Sequence, residues 1–217
     1  MELEHRNLLV VGAKTFGVHL NEENVAAFDL YLRELLKWNE KINLTAIRTE
    51  NGIVVKHFLD SLSVYPYVVE SSSLLDIGSG PGFPGIPLKM VTPDMEITLI
   101  DSVRKKVDFQ RHIIRTLGLK GIEAVHGRIQ ETGVVQKMRG RYDRVISRAF
   151  ADIETSLRLG LPFLKKGGLA LVMKGKAAEK EIEMIRDGEK FPCRLREAVT
   201  LTLPLTSFRR TILLFEK

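Results

Sequence analysis

From Ser73 onward, short apolar runs alternate with amphipathic segments, and this alternation constrains the fold more than any other feature. The apolar runs are Leu74–Ile77, Glu96–Ile100, Ile122–Val125, Arg144–Ile146 and Leu169–Met173. Two amphipathic segments, Arg104–Leu117 and Lys176–Arg186, have the periodicity of helices. Strands that alternate with helices predict an α/β protein with an open, doubly wound and mostly parallel sheet. In such a sheet a ligand binds beyond the carboxyl ends of the strands, at the topological switch point.

The two ends of the chain carry different patterns. Asn21 is a helix N-cap signal, and it opens a stripe of apolar residues at spacings of three and four, comprising Val25, Phe28, Leu32, Leu35 and Leu36. A second helix is predicted over Glu50–Tyr65, ending before Pro66. Residues 1–70 are therefore predicted to be an N-terminal helical extension of a domain formed by residues 71–217. At the other end, Val199–Leu203 and Thr211–Phe215 predict a C-terminal antiparallel hairpin.

Composition narrows the class of protein. The chain has 217 residues, of which 44% are hydrophobic and 28% charged, which is typical of a globular protein and not of a disordered chain, coiled coil or collagen. Its single cysteine, Cys193, excludes a disulfide framework and a multi-cysteine metal site. No apolar run approaches the roughly 18 residues of a membrane span, and the mixed N-terminal residues are unlike a signal peptide. We expect a cytoplasmic protein without a membrane partner.

Positive charge is concentrated in the second half of the chain. Residues 1–100 contain 8 basic and 13 acidic side chains, a net charge of −5, whereas residues 101–217 contain 25 and 14, a net charge of +11. The basic runs that contribute most are Arg104–Lys106, Arg139–Arg141, Lys165–Lys166 and Arg209–Arg210. Each run alone is typical of a solvated surface, but together they favour a polyanionic partner such as a nucleic acid.

The first apolar run leads directly into a glycine-rich loop. Glycines stand at 78, 80 and 82, so a tight turn and a close approach of a ligand to the backbone are possible there. Phe83 occupies the position where a dinucleotide-binding loop has its last glycine, and no NTPase phosphate-binding loop is present. Asp76 places a carboxylate where a pyrophosphate would be repelled, and Asp101 ends the next strand, where an acid accepts hydrogen bonds from ribose hydroxyls. A nucleoside with a cationic amino-acid end fits this pattern, which indicates S-adenosylmethionine.

Several motifs in this region are more specific than a glycine loop. They are Asn43-Leu44-Thr45, His57-Phe58-Leu59-Asp60-Ser61, Asp76 to Leu88, Leu99-Ile100-Asp101-Ser102 and Ile146 to Ala151. In this order the sequence resembles the ribosomal RNA small subunit methyltransferase G family, also called glucose-inhibited division protein B. The resemblance extends over roughly residues 40–175. It implies a Rossmann-like class I methyltransferase fold, S-adenosylmethionine as cofactor, and methylation of N7 of one guanine in the 530 loop of 16S rRNA.

The resemblance also implies particular site residues. The residues expected to bind the cofactor are Asp76, Gly78, Ser79, Gly80, Pro81, Gly82, Phe83, Asp101, Ile129, Gln130 and Arg148. The family often has an acid where Gln130 stands, but an amide also forms hydrogen bonds with the adenine amino group. Arg148 and Lys174 are the catalytic candidates, since each follows a strand that ends at the predicted cleft. The expected partner of a monomeric enzyme is 16S rRNA or the small ribosomal subunit.

The absence of certain catalytic residues indicates which atom accepts the methyl group. After the fourth strand the sequence Ile146–Phe150 lacks the polar loop that methyltransferases acting on exocyclic amines use, and no aspartate stands there for ribose methylation. Cys193 is too late in the chain for a pyrimidine-attacking nucleophile. Guanine N7 has a free lone pair and no proton at neutral pH, so it needs no general base. The sequence therefore favours this acceptor and weakens the others.

Two other interpretations of the function remain beside the main one. A non-catalytic RNA-binding assembly factor on the same fold would bind RNA without the cofactor, and a methyltransferase for small molecules would show little salt dependence. His57, Asp60 and Ser61 share one helical face, but one histidine and one carboxylate are too few ligands for a metal. We expect this face to pack helix against domain or to form a wall of the RNA cleft, and we expect no metal site.

Overall fold

The computed structural model describes residues 1–175 and 192–217. Within them seven strands form one sheet: β1 (Ser73–Ile77), β2 (Glu96–Asp101), β3 (Ile122–His126), β4 (Tyr142–Arg148), β5 (Leu164–Lys174), β6 (Arg194–Thr202) and β7 (Arg209–Glu216). Their spatial order is β3-β2-β1-β4-β5-β7-β6. Strands β1 to β5 are parallel, whereas β7 is antiparallel to both β5 and β6. The chain reverses its direction of travel across the sheet between β1 and β4, which places the switch point there.

The sheet confirms the predicted α/β class. All five predicted apolar runs lie inside β1 to β5, and the C-terminal antiparallel hairpin is formed by β6 and β7, both longer than the sequence indicated. The predicted helix over residues 176–186 lies outside the described residues.

The helices lie on both faces of this sheet. They are α1 (Leu3–Lys14), α2 (Glu22–Asn39), α3 (Glu50–Ile53), α4 (Asp60–Leu62), α5 (Gly85–Val91), α6 (Arg104–Thr116), α7 (Thr132–Met138) and α8 (Ile153–Gly160). Asn21 caps α2 as predicted, because its side chain accepts a hydrogen bond from the Asn24 backbone while the Asn24 side chain accepts one from the Asn21 backbone. Helices α7 and α8 are short and were not predicted from the sequence.

The predicted helix over Glu50–Tyr65 is present as far as Leu62, but its central part is not α-helical. Between α3 and α4 the backbone forms a π-helical segment, Val54–Leu59, and a 3₁₀ turn follows at Tyr65–Tyr67. Pro66 lies inside that turn instead of ending the helix. A π-helical segment widens the turn and re-aims its side chains. It carries His57 and Phe58, both buried against the rest of the protein, so tertiary packing overrides the α-helical periodicity here.

Alternate residues of the strands supply two separate cores. Leu74 and Leu99 point to the face covered by α1, α2, α5 and α6, whereas Leu75 and Ile77 point to the face covered by α8 and the 3₁₀ turn Leu161–Phe163. This is the period of two expected of strands buried on both faces.

The N-terminal helices belong to the first of these cores. Phe28, Leu32 and Phe58 are fully buried in the same cluster as Leu74 and Ile146 of the sheet. The division of the chain into residues 1–70 and 71–217 stays a prediction. In the part of the chain that the structure describes, no helix combines the length and apolar character of a membrane span.

Candidate active site

A cavity of about 450 Å³ opens at the carboxyl ends of β1, β2 and β3 and beside the end of β4. Its lining residues are Ile77, Gly78, Ile100, Asp101, Ser102, Val103, Lys106, Gly127, Arg128, Ile129, Gln130, Ala149 and Phe150. The strand-end cavity is thus adjacent to the switch point, where the sequence placed the ligand. Gly78, Asp101, Ile129 and Gln130 are the predicted cofactor residues that line it.

The glycine loop, residues 78–82, requires glycine for two different reasons. All three glycines have positive φ, at 68° for Gly78, 57° for Gly80 and 109° for Gly82, a conformation that costs other residues energy. A Cβ on Gly78 would lie 2.3 Å from Cδ2 of Phe150, whereas a Cβ on Gly80 would meet no atom within 4 Å. Gly78 therefore permits a close contact inside the protein, and Gly80 leaves open space beside the backbone.

Hydrogen bonds from three directions hold the glycine loop. The Gly80 N–H donates to Oδ2 of Asp101 over 2.9 Å, and the Gly80 carbonyl accepts from Nε2 of Gln110 over 2.6 Å. Tyr31, on α2, donates its hydroxyl to the Pro81 carbonyl over 2.7 Å. Sequence reasoning missed both Gln110 and Tyr31, since each stands on an amphipathic helix where a buried polar residue is the only signal. Because the loop is braced on both sides, its backbone is pre-organised for a ligand.

Asp76 is a buried carboxylate with one satisfied oxygen. Its Oδ2 accepts a hydrogen bond of 2.9 Å from the Gly85 N–H, but Oδ1 has no hydrogen-bond partner among the described residues. Burial raises the pKa of Asp76 to about 7, against the lowering effects of the Gly85 hydrogen bond and of Arg148. An orphaned buried oxygen carries an energetic penalty that a bound donor would relieve. Asp76 is not among the residues that line the strand-end cavity. A cationic ammonium group that reached its free oxygen would be such a donor, and in this respect Asp76 fits S-adenosylmethionine.

Asp101 and the β3 loop shape the other side of the cavity. Asp101 accepts from the Gly80 N–H through Oδ2 and from the Val103 N–H through Oδ1, at 2.9 and 2.8 Å. A carboxylate oxygen has two acceptor sites, so both oxygens retain capacity for ribose hydroxyls. Ile129 is buried and supplies an apolar wall, whereas Gln130 is exposed at the opening.

The other predicted cofactor residues of the loop do not line the strand-end cavity. Ser79 is buried, and its hydroxyl accepts from Gln110 over 2.8 Å. Phe83 is also buried, stacked on the His57 ring at 4.4 Å and on the Tyr31 ring at 5.3 Å between centroids. Phe83 therefore packs against Tyr31 of α2 and His57 of the π-helical segment, and its predicted role in cofactor binding stays a prediction.

Arg148 lies at the end of β4 and is directed towards the N-terminal helices. Its Nη1 donates to the Lys56 carbonyl and to Oδ2 of Asp60, both at 2.9 Å, and its Nη2 lies 3.1 Å from Nδ1 of His57. Its guanidinium carbon is 5.4 Å from the centroid of the Phe83 ring. Arg148 therefore connects the sheet, the π-helical segment and the start of α5.

His57 is locked in one neutral tautomer by its neighbours. An arginine only donates, so Nδ1 accepts from Arg148 and the ring proton resides on Nε2, which lies 2.9 Å from Oγ1 of Thr45. Burial and the adjacent Arg148 charge lower the pKa of His57 to about 3. With both nitrogens engaged, His57 does not act as a general base.

Asp60 completes this network. The carboxylate has no exposed surface and accepts from Arg148 and from both Nε and Nη2 of Arg210, on β7. Arg210 was predicted as part of a basic run for phosphate contacts, but its guanidinium is paired with Asp60 instead. The helical face of His57, Asp60 and Ser61 therefore packs helix against domain, the first of its two predicted roles. Within residues 1–175 and 192–217, no cluster of three metal-binding side chains occurs.

The remaining candidates divide between the two ends of the sheet. Lys174 ends β5 and donates to the Ala151 carbonyl over 2.7 Å, close to the loop after β4. Lys165 pairs with Asp143 at the starts of β5 and β4, so this basic run lies at the end opposite the cavity. Cys193 precedes β6 at that same opposite end, and burial raises the pKa of its thiol. This position excludes Cys193 as a nucleophile in the cavity.

Solved structures with the same architecture define the class of protein. A S-adenosylmethionine-dependent methyltransferase from Aquifex aeolicus superposes with a TM-score of 0.58 at 18% identity, covering 75% of this chain and 92% of that one. The M. jannaschii TYW2 in complex with AdoMet superposes with a TM-score of 0.55 at 16% identity, covering 73% and 76%. The fold is that of S-adenosylmethionine-dependent methyltransferases.

Sequence comparison then identifies the family. The model of the rRNA small subunit methyltransferase G family, GidB, matches residues 24–204. The Ribosomal RNA small subunit methyltransferase G of Geotalea uraniireducens is 42% identical over 213 residues, covering 98% of this chain and 96% of that protein. The protein of the same name from Geobacter metallireducens is 42% identical over 214 residues, with the same coverage. The chain belongs to this family, as its motifs predicted.

Proposed function

We propose that this chain transfers the methyl group of S-adenosylmethionine to N7 of a guanine in the 530 loop of 16S rRNA, guanine 527 in the usual rRNA numbering. The observation that carries the proposal is the family match over residues 24–204, which includes every predicted site residue. The strand-end cavity and the orphaned oxygen of Asp76 support it, because they supply space and an acceptor for the cofactor.

The cofactor would be held by the two acids and the braced loop between them. Asp76 offers its free Oδ1 to an ammonium group, and Asp101 offers its remaining acceptor capacity to ribose hydroxyls. The open space beside Gly80 admits a ligand against the backbone. Ile129 and Gln130 are assigned to the adenine. Ser79, Pro81, Gly82 and Phe83 set the shape of the loop, and Phe83 does so through its packing.

When bound, the cofactor supplies an electrophilic methyl group on a sulfonium. The N7 lone pair of guanine forms the new carbon–nitrogen bond while the carbon–sulfur bond breaks, leaving S-adenosylhomocysteine and a positively charged base. Since no proton leaves N7, the protein's task is to align donor and acceptor and to exclude water. The neutral, fully engaged His57 is consistent with a reaction that needs no base.

Arg148 and Lys174 are proposed to face the reaction from the ends of β4 and β5. Asp60 and His57 hold the Arg148 guanidinium in a fixed position, and we assign the rest of its surface to contacts with the cofactor and the target nucleotide. Lys174 is close to the loop after β4 and is assigned to a phosphate or to the target base. Neither residue needs to transfer a proton in this role.

The proposal includes partners and organisation. The substrate is 16S rRNA, alone or in the small ribosomal subunit, and the enzyme is a monomer that acts in the cytoplasm without a membrane partner. Residues 1–70 form the helical extension and residues 71–217 the methyltransferase domain. The +11 charge of residues 101–217 supports an RNA substrate.

The test is to map the methylated nucleotide. Small subunits from cells that lack this modification are incubated with the protein and labelled S-adenosylmethionine, and borohydride reduction with aniline cleavage then reports N7-methylguanine. We expect one new break in the 530 loop. The matched inactive control is Gly78→Val, because a Cβ at this position already lies 2.3 Å from Phe150.

The other interpretations predict different results. A non-catalytic assembly factor would bind subunits but give no calorimetric heat with S-adenosylmethionine. Label at a different nucleotide would reassign the acceptor. A small-molecule methyltransferase would leave the subunits unlabelled and show turnover that changes little with salt.

A further inference from the structure

The loop between β6 and β7, residues 203–208, presents apolar side chains to solvent at the same end of the sheet as the strand-end cavity. Leu205 is 76% exposed and Phe208 is 46% exposed, whereas Leu203 at the base of the loop is buried. Exposed side chains of this size contribute little to folding. Because the pair lies on one short turn, it is a surface feature that the fold alone does not explain.

The loop is ordered by its own hydrogen bonds. The Leu203 N–H donates to the Phe208 carbonyl over 2.8 Å, and the Thr206 hydroxyl donates to the Leu203 carbonyl over 2.9 Å. The Phe208 N–H donates in turn to the Thr206 hydroxyl over 3.1 Å. Leu205 has a φ of 59°, a left-handed conformation that costs a non-glycine residue energy. Strain of this kind is concentrated at functional sites, and the bonded loop holds Phe208 ready for a partner.

The charge around Phe208 is positive. The ammonium of Lys56 lies 4.1 Å from the centroid of the Phe208 ring, a cation–π contact. Residues 203–210 include Arg209 and Arg210 but no acid, and Arg209 is exposed. Asp60, the acid that pairs with Arg210, is buried and also binds Arg148. An aromatic ring with cations beside it suits an RNA base and its phosphates better than an apolar protein surface.

Contacts connect this loop to the glycine loop. Lys56, which covers Phe208, accepts a hydrogen bond of 2.9 Å from Arg148 through its carbonyl. Arg148 in turn lies 5.4 Å from the ring of Phe83, next to the glycine loop. Phe208, just before β7, therefore lies at the same end of the sheet as the strand-end cavity and is connected to the glycine loop through Lys56 and Arg148. We expect the nucleotides that flank a target in the cavity to extend along this end of the sheet.

We propose that Phe208, supported by Lys56, is a stacking platform for an unpaired RNA base next to the methylated guanine, with Arg209 on an adjacent phosphate. The inference rests on the proposed function, because it takes the RNA substrate from it. Single-stranded RNA loops are recognised by stacking their splayed bases on aromatic side chains, and a guanine in the 530 loop belongs to this kind of substrate.

The test separates stacking from general apolar contact. Binding of wild-type protein and variants to unmethylated small subunits is measured by filter binding, together with the affinity for S-adenosylmethionine by calorimetry. Phe208→Ala should weaken subunit binding roughly tenfold, as the loss of one stacked base does, without changing cofactor affinity. Phe208→Leu should weaken it as much, whereas Phe208→Trp should retain it. Val69→Ala, at an exposed valine just before β1 and at the opposite end of the sheet, is the matched control.

Each outcome decides the inference. Unchanged subunit binding by Phe208→Ala overturns it, and so does full binding by Phe208→Leu, which would indicate an apolar protein partner. If Lys56 also neutralises a phosphate, Lys56→Gln should lower the slope of log affinity against log salt concentration by roughly 1. An unchanged slope would mean that Lys56 supports the Phe208 ring and does not contact a phosphate. If Phe208 variants lose subunit binding but the wild-type protein does not methylate guanine N7, the stacking role of Phe208 is supported and the proposed function is wrong.

Discussion

Asp60 and Asp76 are both carboxylates without exposed surface, and the charge of Arg148 acts on both: it pairs with Asp60 and lowers the pKa of Asp76. Asp60 accepts hydrogen bonds from two arginines, so both of its oxygens are satisfied within the chain. Asp76 has one backbone donor and one orphaned oxygen. The difference separates structural acids from ligand-binding acids in this protein. A buried carboxylate whose oxygens all accept hydrogen bonds holds elements together, whereas one with an unpaired oxygen can still accept a hydrogen bond from a ligand.

The largest effect is expected from removing the charge of Asp60. Asp60→Asn leaves Arg148 and Arg210 without their counter-charge, and losing one partner of a buried ion pair should lower the free energy of unfolding by about 3 kcal/mol. Urea unfolding followed by circular dichroism measures this loss. The matched control is Glu216→Gln, which breaks the exposed pair with Arg194 and should cost less than about 1 kcal/mol. Equal losses in the two variants would contradict a structural role for Asp60.

Asp76→Asn should act on the cofactor instead. Loss of a charged hydrogen bond should weaken S-adenosylmethionine binding at pH 8 by roughly tenfold or more, while the Asn side chain still accepts from Gly85. Calorimetry measures the affinity, and urea unfolding shows whether stability falls as it does in Asp60→Asn. A variant with wild-type affinity would refute the assignment of the free oxygen to the ammonium group.

The pH dependence of binding follows from the same group. Burial raises the pKa of Asp76 to about 7, so the carboxyl is protonated and neutral below that pH. The ionised form attracts an ammonium, so affinity should rise as pH increases through 7 and fall as pH decreases. Asp76→Asn should remove this dependence. Asp143→Asn should retain it, since hydrogen bonds from Lys165, Ser72 and Ser73 hold the pKa of Asp143 below its usual range.

The smallest effect is expected at Tyr31, which braces the loop between the two acids. Tyr31→Phe retains the ring that stacks on Phe83 but removes the hydroxyl that binds the Pro81 carbonyl. Loss of one neutral hydrogen bond should raise the Kd for S-adenosylmethionine roughly fivefold. Tyr142→Phe is the control, because its buried hydroxyl bonds to Thr98, away from the loop. If both variants bind alike, the brace does not contribute to cofactor affinity.

Local patterns were sufficient for much of this protein. Apolar runs such as Leu74–Ile77 predicted their strands, Asn21 predicted a helix start, and the glycines at 78, 80 and 82 predicted a turn. These features succeed because side-chain period, capping and positive φ depend on neighbours in the chain. Over Glu50–Tyr65 the apolar periodicity predicted the helix, but it did not predict that Val54–Leu59 would be π-helical or that the helix would end at Leu62.

Contacts between distant residues were beyond such patterns. Arg148 was recognised as a site residue, but its partners His57 and Asp60 are 91 and 88 residues away in the chain. Gln110 and Tyr31 were missed for the same reason: each looked like one position on an amphipathic helix, and each donates to a loop on another element. A side chain's partner depends on how elements pack, which periodicity does not encode.

The order of residues alone was enough to establish the α/β class, the glycine turn, the acids at two strand ends and the family, because each is written in local spacing or in a contiguous motif. Three-dimensional packing assigned the roles within that frame. Packing gives both oxygens of Asp60 hydrogen-bond donors and leaves one oxygen of Asp76 without any. It also pairs Arg210, a predicted phosphate contact, with Asp60, and it brings Phe208 next to Lys56. The physical reason is that burial and charge pairing arise only when distant elements pack together, and both determine the pKa and the hydrogen-bond partners of an ionisable side chain.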